Sequence, residues 1–366
     1  MFETSEAALK SRLAQLTCSL CDIPSVTGDE RALCDHLEAW ARARFSDGEI
    51  RRVGNSLVLG TLDDPRPLVA LVGHLDTVPG AATDFPARIV GERVVGLGSS
   101  DMKSGDAVMM ALAEDLDRAT LDLNPVLVFY EREEGPFDEN GLGPLLDHVP
   151  ALTRARLAIV LESSDSELQM ACQGSLHARL VFDGKRGHSA RPWHGDNAIY
   201  RALPLLTELA ALEPKPVEID GFTFYEVLSA TLASGGSARN VIPERFELNL
   251  NFRFSPGRRV EEAMAEVERF VAGRARIEWI DRSPAGKVCA QNPLYQRLAR
   301  VSGARQTPKQ AWTDVARLAQ VGIDAINYGP GLTSQAHQAD EWVPIDAIAR
   351  CYQALRAFFE ERDRWS

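Results

Sequence analysis

The stretch Leu68-Val-Ala-Leu-Val-Gly-His74-Leu-Asp76 decides how this chain folds. Five apolar residues run without a polar break, and an imidazole and a carboxylate follow within the next four positions. A strand with one face in water alternates apolar and polar residues. An unbroken run of this kind suits a strand buried on both faces, as in a parallel sheet covered by helices. The pattern recurs along the chain. Residues 126–130 run into Glu131, Arg132, Glu133, Glu134 and Gly135, residues 157–161 run into Glu162, and 325–328 is a fourth run. Helical segments lie between some of these runs, notably 102–116. The order predicts an α/β fold with a mainly parallel-stranded sheet and flanking helices. Ligands of open α/β sheets bind outside the carboxyl ends of the strands. Three strands therefore send His or carboxylate groups to one edge of one sheet. Asp101, just ahead of the 102–116 helix, and His337, in the loop after residue 328, are the fourth and fifth candidates.

Outward from this frame, the first 45 residues read as two helices. Thr27 and Glu30 are spaced as a capping box for the second, with Leu33, Leu37, Trp40 and Phe45 at helical spacing. From Gly174 the period changes. Leu176, Ala178, Leu180 and Phe182 alternate with polar residues, as do Phe246, Leu248, Leu250, Phe252 and Phe254. These are half-exposed strands of an antiparallel sheet, with helical stretches at 196–212 and 259–272. The order strand, helix, strand, strand, helix, strand predicts a small α+β, ferredoxin-like insert. The expected division is therefore residues 1–173 with 285–366 as one discontinuous domain, and 174–284 as the insert.

Composition narrows the function. The chain has 366 residues and a net charge of −12, which disfavours nucleic acid and anionic membrane as partners. Basic and acidic residues balance between Gly174 and Pro284, so the rest of the chain carries the whole excess. An acid-rich body suits a protein that concentrates divalent cations there. The apolar runs are far short of a membrane span, and residues 1–6 lack the basic region of a signal peptide. Six scattered cysteines form no disulfide framework, which points to a reducing cytoplasm. Cys18 and Cys21 form a CxxC with no second pair, in a helical stretch where they read as small buried hydrophobes. There is no GxSxG elbow and no Walker sequence, and Gly96-Leu-Gly98 lacks the third glycine of a dinucleotide fingerprint.

Two His with three or four carboxylates is a mixed nitrogen and oxygen set suited to zinc, cobalt or manganese. It exceeds what one four-coordinate ion needs. Two ions sharing a carboxylate is the economical reading.

Six motifs then occur in order: His74-Leu-Asp76-Thr-Val-Pro, Ser100-Asp101-Met-Lys-Ser-Gly, Glu133-Glu134-Gly, Gly187-His188-Ser-Ala, Asn240-Val-Ile-Pro and Ala336-His337-Gln-Ala-Asp-Glu. Together they resemble the M20 metallohydrolases across essentially the whole chain. The resemblance implies a phosphorylase/hydrolase-like zinc-peptidase catalytic domain with an inserted dimerisation domain, in a homodimeric amidohydrolase using two divalent ions, zinc or cobalt. It implies His74 and Glu162 on one ion, Glu134 and His337 on the other, and Asp101 between them. Asp76 would accept the other N–H of the His74 imidazole, and Glu133 would be the general base. His188 would reach the partner subunit's site and stabilise the oxyanion. Arg253, in Asn251-Phe-Arg-Phe-Ser, resembles a desuccinylase arginine that binds a substrate carboxylate, and Asn240 resembles another substrate contact. Arg317 falls in Trp312-Thr-Asp-Val-Ala-Arg317, which departs from the family's Thr-Ser-Asp-Gly-Arg-Phe in lacking the Gly and in spacing. The substrate expected is a small N-acyl amino acid, most like that of the family's succinyl-diaminopimelate desuccinylases. Deacetylase or carboxypeptidase members and a non-catalytic binder of the same fold are the alternatives.

Overall fold

The computed structural model describes residues 5–80 and 86–362; Met1–Thr4, which bear on the signal-peptide expectation, lie outside the described residues. The four apolar runs become the centre of an eight-stranded sheet. Leu68–His74 pairs in parallel with Asn124–Tyr130 on one side and Leu157–Val160 on the other, and Leu157–Val160 pairs in parallel with Ala325–Asn327. Every residue of these four strands is buried. Ile50–Val53 and Ser56–Leu59 extend the sheet antiparallel at one edge, and Leu168–Met170 and Gln306–Pro308 extend it at the other. The helix Ser104–Asp115 packs against the sheet near the carboxyl end of Leu68–His74, where Asp106 and Met109 approach Gly73, and its first turn is buried throughout. Among the described residues no helix is long and apolar enough to cross a membrane. All six cysteines are free thiols; Cys21 is buried, while Cys18 is partly exposed.

Thr27 and Glu30 do not form the expected capping box. The helix Arg31–Arg42 starts with no side-chain cap, because Glu30 accepts from the Gly28 N–H at 2.6 Å and the Thr27 hydroxyl is donated to Asp76 at 3.0 Å. A contact 49 residues away along the chain outcompetes the local one.

The chain divides into two compact units. One comprises Met1–Ala171, Cys289–Thr307 and Arg317–Ser366; the other comprises Cys172–Val288 and Pro308–Ala316. The sequence-based limits 174–284 fall inside the second. The excursion 308–316 joins it because Trp312 donates to the Pro284 carbonyl at 3.0 Å and Gln310 to that of Thr223 at 3.3 Å.

The second unit is a five-stranded antiparallel sheet in the order Lys215–Ile219, Phe222–Gly235, Arg245–Phe254, Gly174–Asp183, Arg276–Ser283. The helices Ala198–Ala210 and Val260–Val271 bury Ala202, Leu205, Ala263 and Val267 against its apolar face. The last four strands and two helices have the expected ferredoxin-like order. Lys215–Ile219 is an extra edge strand that apolar alternation could not reveal, since none of its residues is buried and it carries Pro216.

Candidate metal centre

The three inner strand ends and two flanking loops of the first unit deliver six titratable side chains to one place. His74 ends its strand with its imidazole fully buried. Its Nε2 lies 3.3 Å from Asp101 Oδ1 and 3.7 Å from Glu162 Oε1. Glu134 meets the His337 imidazole at 2.9 Å, and Asp101 Oδ2 lies 3.8 Å from the same His337 Nε2. The two oxygens of Asp101 thus face different imidazoles. Donor atoms of His74, Asp101 and Glu134 lie within 4.8 Å of one another, as do those of His74, Glu133 and Glu162.

The electrostatics describe a site rich in negative charge. The side chains of Asp101, Glu134 and Glu162 are 12, 9 and 8% exposed. Burial, reinforced by Asp101, pushes the Glu134 carboxyl above its ordinary pKa. Burial alone would lower the imidazole pKa of His74, but Asp101, Asp76, Glu162 and Glu133 outweigh it and hold it well above the usual value. His337 is shifted the same way: Glu134 and Asp101 overcome its burial. A buried carboxyl whose pKa is raised by burial and by a neighbouring carboxylate calls for a cation. The donors offered, two imidazole nitrogens and three carboxylates with one placed between the imidazoles, fit divalent ions that accept mixed nitrogen and oxygen ligands.

Asp76 is placed differently from expectation. The closer partner of His74 Nδ1 is the main-chain carbonyl of Asp76 at 3.0 Å, while its carboxylate stands at 3.5 Å. That carboxylate accepts the main-chain N–H groups of Glu133 and Glu134 at 2.9 and 3.0 Å, and the Thr27 hydroxyl. Burial would raise its pKa, but His74 and these N–H donors bring it below the ordinary range. Asp76 therefore holds the loop that carries both glutamates. The two adjacent side chains part here: Glu134 meets His337, and Glu133 lies with His74 and Glu162.

Glu341 carried no role in the sequence reading, yet it is 3% exposed and accepts the N–H groups of Gly98, Ser100 and Asp101. It stands more than 200 residues from these partners along the chain, so no local period could flag it. Its position inside the His337 motif was the one available signal.

Arg317 lies in the helix Val315–Gln320 with its guanidinium 4.0 Å from the Phe137 ring centroid, and it donates to the Phe137 carbonyl at 2.6 Å. The other three candidates belong to the second unit. His188 sits on the short strand Gly187–His188, opposite Val241. Asn240, next to Val241, accepts the Ser189 N–H at 3.0 Å, so these two candidates are neighbours. The exposed His188 accepts the Ala190 N–H through Nδ1 at 3.1 Å, which leaves Nε2 as the protonated nitrogen of the neutral ring. Arg253, half-buried on the strand Arg245–Phe254, donates to Asn251 at 3.2 Å, and no acidic side chain pairs with it among the described residues. Burial pushes its guanidinium pKa down. His177, His148, His36 and His194 take no part in the cluster.

Comparison with known proteins gives one answer at two levels. The model of peptidase family M20/M25/M40 matches residues 70–361. A putative succinyl-diaminopimelate desuccinylase of Mycobacterium tuberculosis is 40% identical over 345 residues, covering 94% of this chain and 97% of that protein. A succinyl-diaminopimelate desuccinylase of Corynebacterium glutamicum is 36% identical over 353 residues, covering 94% and 95%. Among solved structures, an aminopeptidase of Bacillus cereus matches with a TM-score of 0.78 at 18% identity, over 96% of this chain and 98% of that one. A metallo-carboxypeptidase of Sulfolobus solfataricus matches with a TM-score of 0.74 at 16% identity, covering 95% and 98%. These structural likenesses speak to the fold.

Proposed function

This chain belongs to peptidase family M20/M25/M40, and on that footing we propose that it hydrolyses N-succinyl-LL-2,6-diaminopimelate to succinate and LL-2,6-diaminopimelate. The substrate is taken from the activity named for the relatives at 36 and 40% identity. The observation that carries the chemistry is the convergence of His74, Asp101, Glu134, Glu162 and His337, with Glu133 beside them.

His74 and Glu162 would hold one divalent ion, Glu134 and His337 the other, and Asp101 both; zinc is the assignment, with cobalt able to replace it. Bound there, such ions supply Lewis acidity toward the amide carbonyl and toward water. Glu133 takes the proton of the attacking water and hands it to the departing amine, the usual task of a positioned carboxylate base. Asp76 keeps Glu133 aimed by holding its main-chain N–H, and its carbonyl fixes His74 as the Nδ1–H tautomer, leaving Nε2 free to bind metal. His188, with its proton on Nε2, donates to the oxyanion that develops on the carbonyl. Arg253, a half-buried guanidinium that forms no ion pair among the described residues, receives a substrate carboxylate, and Asn240 adds a polar contact. Arg317 is assigned to the Phe137 turn in place of the substrate.

The assembly proposed is a homodimer. In the strand Phe222–Gly235, residues 222–226 pair with Lys215–Ile219, but among the described residues 227–235 have a partner strand on one side only. An open edge of this length invites pairing, and a second copy closes it with two-fold symmetry. His188 would then serve the neighbouring chain's site.

One assay panel tests the reading: purified protein with zinc or cobalt, given succinyl-diaminopimelate, acetylornithine and a glutamyl peptide. Turnover confined to the succinyl substrate is expected. Rapid turnover of acetylornithine alone would overturn the substrate while leaving the family in place.

A further inference from the structure

Six side chains form the site, but something must hold the loop that brings Asp101 between the two imidazoles. That loop leaves the strand Arg93–Val95 and passes through Gly98, whose φ of 76° lies in the left-handed region open to glycine. It then turns at Ser99–Lys103 before the helix Ser104–Asp115. Successive N–H groups in such a turn converge into a concave nest that takes an anion. The anion here comes from the protein itself. Glu341 Oε2 accepts from the Gly98 N–H at 2.7 Å, and Oε1 accepts from Ser100 at 2.6 Å and Asp101 at 2.8 Å. The Glu341 main chain is fastened as well: its carbonyl accepts the Gly96 N–H at 2.9 Å, and the next residue, Trp342, pairs with Val95.

Glu341 stands four residues after His337. One carboxylate therefore ties the loop bearing Asp101 to the segment bearing His337. Between these two segments Asp101 stands 3.8 Å from that imidazole. Asp76 holds the base Glu133 and the ligand Glu134 in the same manner, through their main-chain N–H groups. Three N–H groups buried without an acceptor would be costly, and the loop would move to find water.

We propose that Glu341 is a positioning residue of the metal centre, whose carboxylate holds the 98–101 loop so that Asp101 can serve both metal positions. The inference rests on the two-metal reading above.

The test compares wild type, Glu341→Gln, Glu341→Ala and Asp101→Asn in two measurements. Cobalt or zinc affinity is read by competition with a chelator, on protein whose melting shows it folded. Amide exchange at Gly98, Ser100 and Asp101 is read on metal-free protein. Glutamine keeps the shape but presents an NH2 group where an acceptor is needed, so Glu341→Gln should fold. It is expected to bind metal about 10- to 100-fold more weakly, the range found when partners of metal ligands are removed, and to exchange the three amides faster. With metal at saturation, kcat should fall while KM stays near wild type. A merely structural role would lower the melting temperature and leave metal affinity on the folded protein unchanged. If Asp101→Asn loses metal while Glu341→Gln keeps wild-type affinity and slow exchange, the positioning role is overturned and the two-metal reading stands. If Asp101→Asn itself binds metal as wild type does, both fall together.

Discussion

Glu133 and Glu134 are neighbours with opposite tasks, and their main-chain N–H groups both end on Asp76. The side chain of Glu134 meets His337, whereas that of Glu133 lies with His74 and Glu162. Glu133→Ala should cut turnover by at least ~10²-fold, the lower range for a positioned acid–base group, while bound metal stays at the wild-type level. Metal analysis of the purified variant checks this; loss of metal together with activity would mean that the two glutamates have exchanged roles. Arg253 offers a second test at this scale. A guanidinium grips a carboxylate through two parallel bonds that an ammonium cannot copy. Losing a hydrogen bond to a charged group costs about 1.5–3 kcal/mol, so Arg253→Lys should raise KM for the succinyl substrate by roughly 10- to 100-fold. An N-acetyl analogue without the distal carboxylate should show a much smaller change. Equal changes for both substrates would remove Arg253 from succinyl recognition.

The helix Ser104–Asp115 sets where the strand ends lie. At Gly105 an added Cβ would sit 2.6 Å from the Leu161 carbonyl oxygen and 2.8 Å from the Leu161 Cβ, at the strand end that presents Glu162. Backbone cannot step aside cheaply. Gly105→Ala should therefore cost about 1–3 kcal/mol, the range for overpacking a filled core; denaturant unfolding measures it, and an unchanged midpoint would refute the close approach. The other end of this helix is tied to two more. Arg12, from the helix Glu6–Cys21, donates to Asp115 at 2.9 Å, and Tyr352, from the helix Ile345–Glu360, donates to the same carboxylate. Burial would raise the Asp115 pKa, but the bonds from Arg12 and Tyr352 outweigh it and leave the pKa below the ordinary value. A carboxylate with a depressed folded pKa stabilises above its unfolded pKa, and that stability is lost as pH falls through the folded value. Asp115→Asn should thus cost about 1 kcal/mol at pH 7, the upper end for solvent-screened pairs. The gap to wild type should close as pH drops below about 4. Melting curves across pH would show it, and a gap that widens in acid would reverse the sign of the argument.

At the scale of the whole molecule, the groups proposed for catalysis are divided between the two units: Glu133 and the metal ligands in one, His188 and Arg253 in the other. The half of the strand Phe222–Gly235 that is open on one side among the described residues predicts a dimer, which sedimentation or scattering will report. Whether His188 acts across it is decided by mixing chains. Inactive His188→Ala and inactive Glu133→Ala are allowed to exchange subunits. If His188 serves its neighbour, a mixed dimer holds one doubly damaged site and one intact site, and activity returns. If it serves its own chain, every site keeps one lesion and the mixture stays dead, with exchange shown separately by a tagged subunit. Losing one oxyanion donor costs roughly 10²–10³ in rate, so the recovered activity stands well above background.

The sequence by itself determined the sheet and the residues at its edge. A parallel strand buried on both faces must be apolar throughout, so 68–72, 126–130 and 157–161 were legible, and the polar groups that follow each run fall at the carboxyl ends where sites form. The insert was legible for the opposite reason: strands with one wet face alternate, as Leu176–Phe182 and Phe246–Phe254 do. Only the tertiary structure decided what holds those groups still. Thr27 bonds Asp76 instead of capping a helix, Asp76 turns its carboxylate to the Glu133 and Glu134 N–H groups, and Glu341 reaches back to Gly98, Ser100 and Asp101. Side-chain bonds to the main chain of a distant loop follow neither the 3.6 nor the 2.0 period. They exist only once the sheet has brought the loops together.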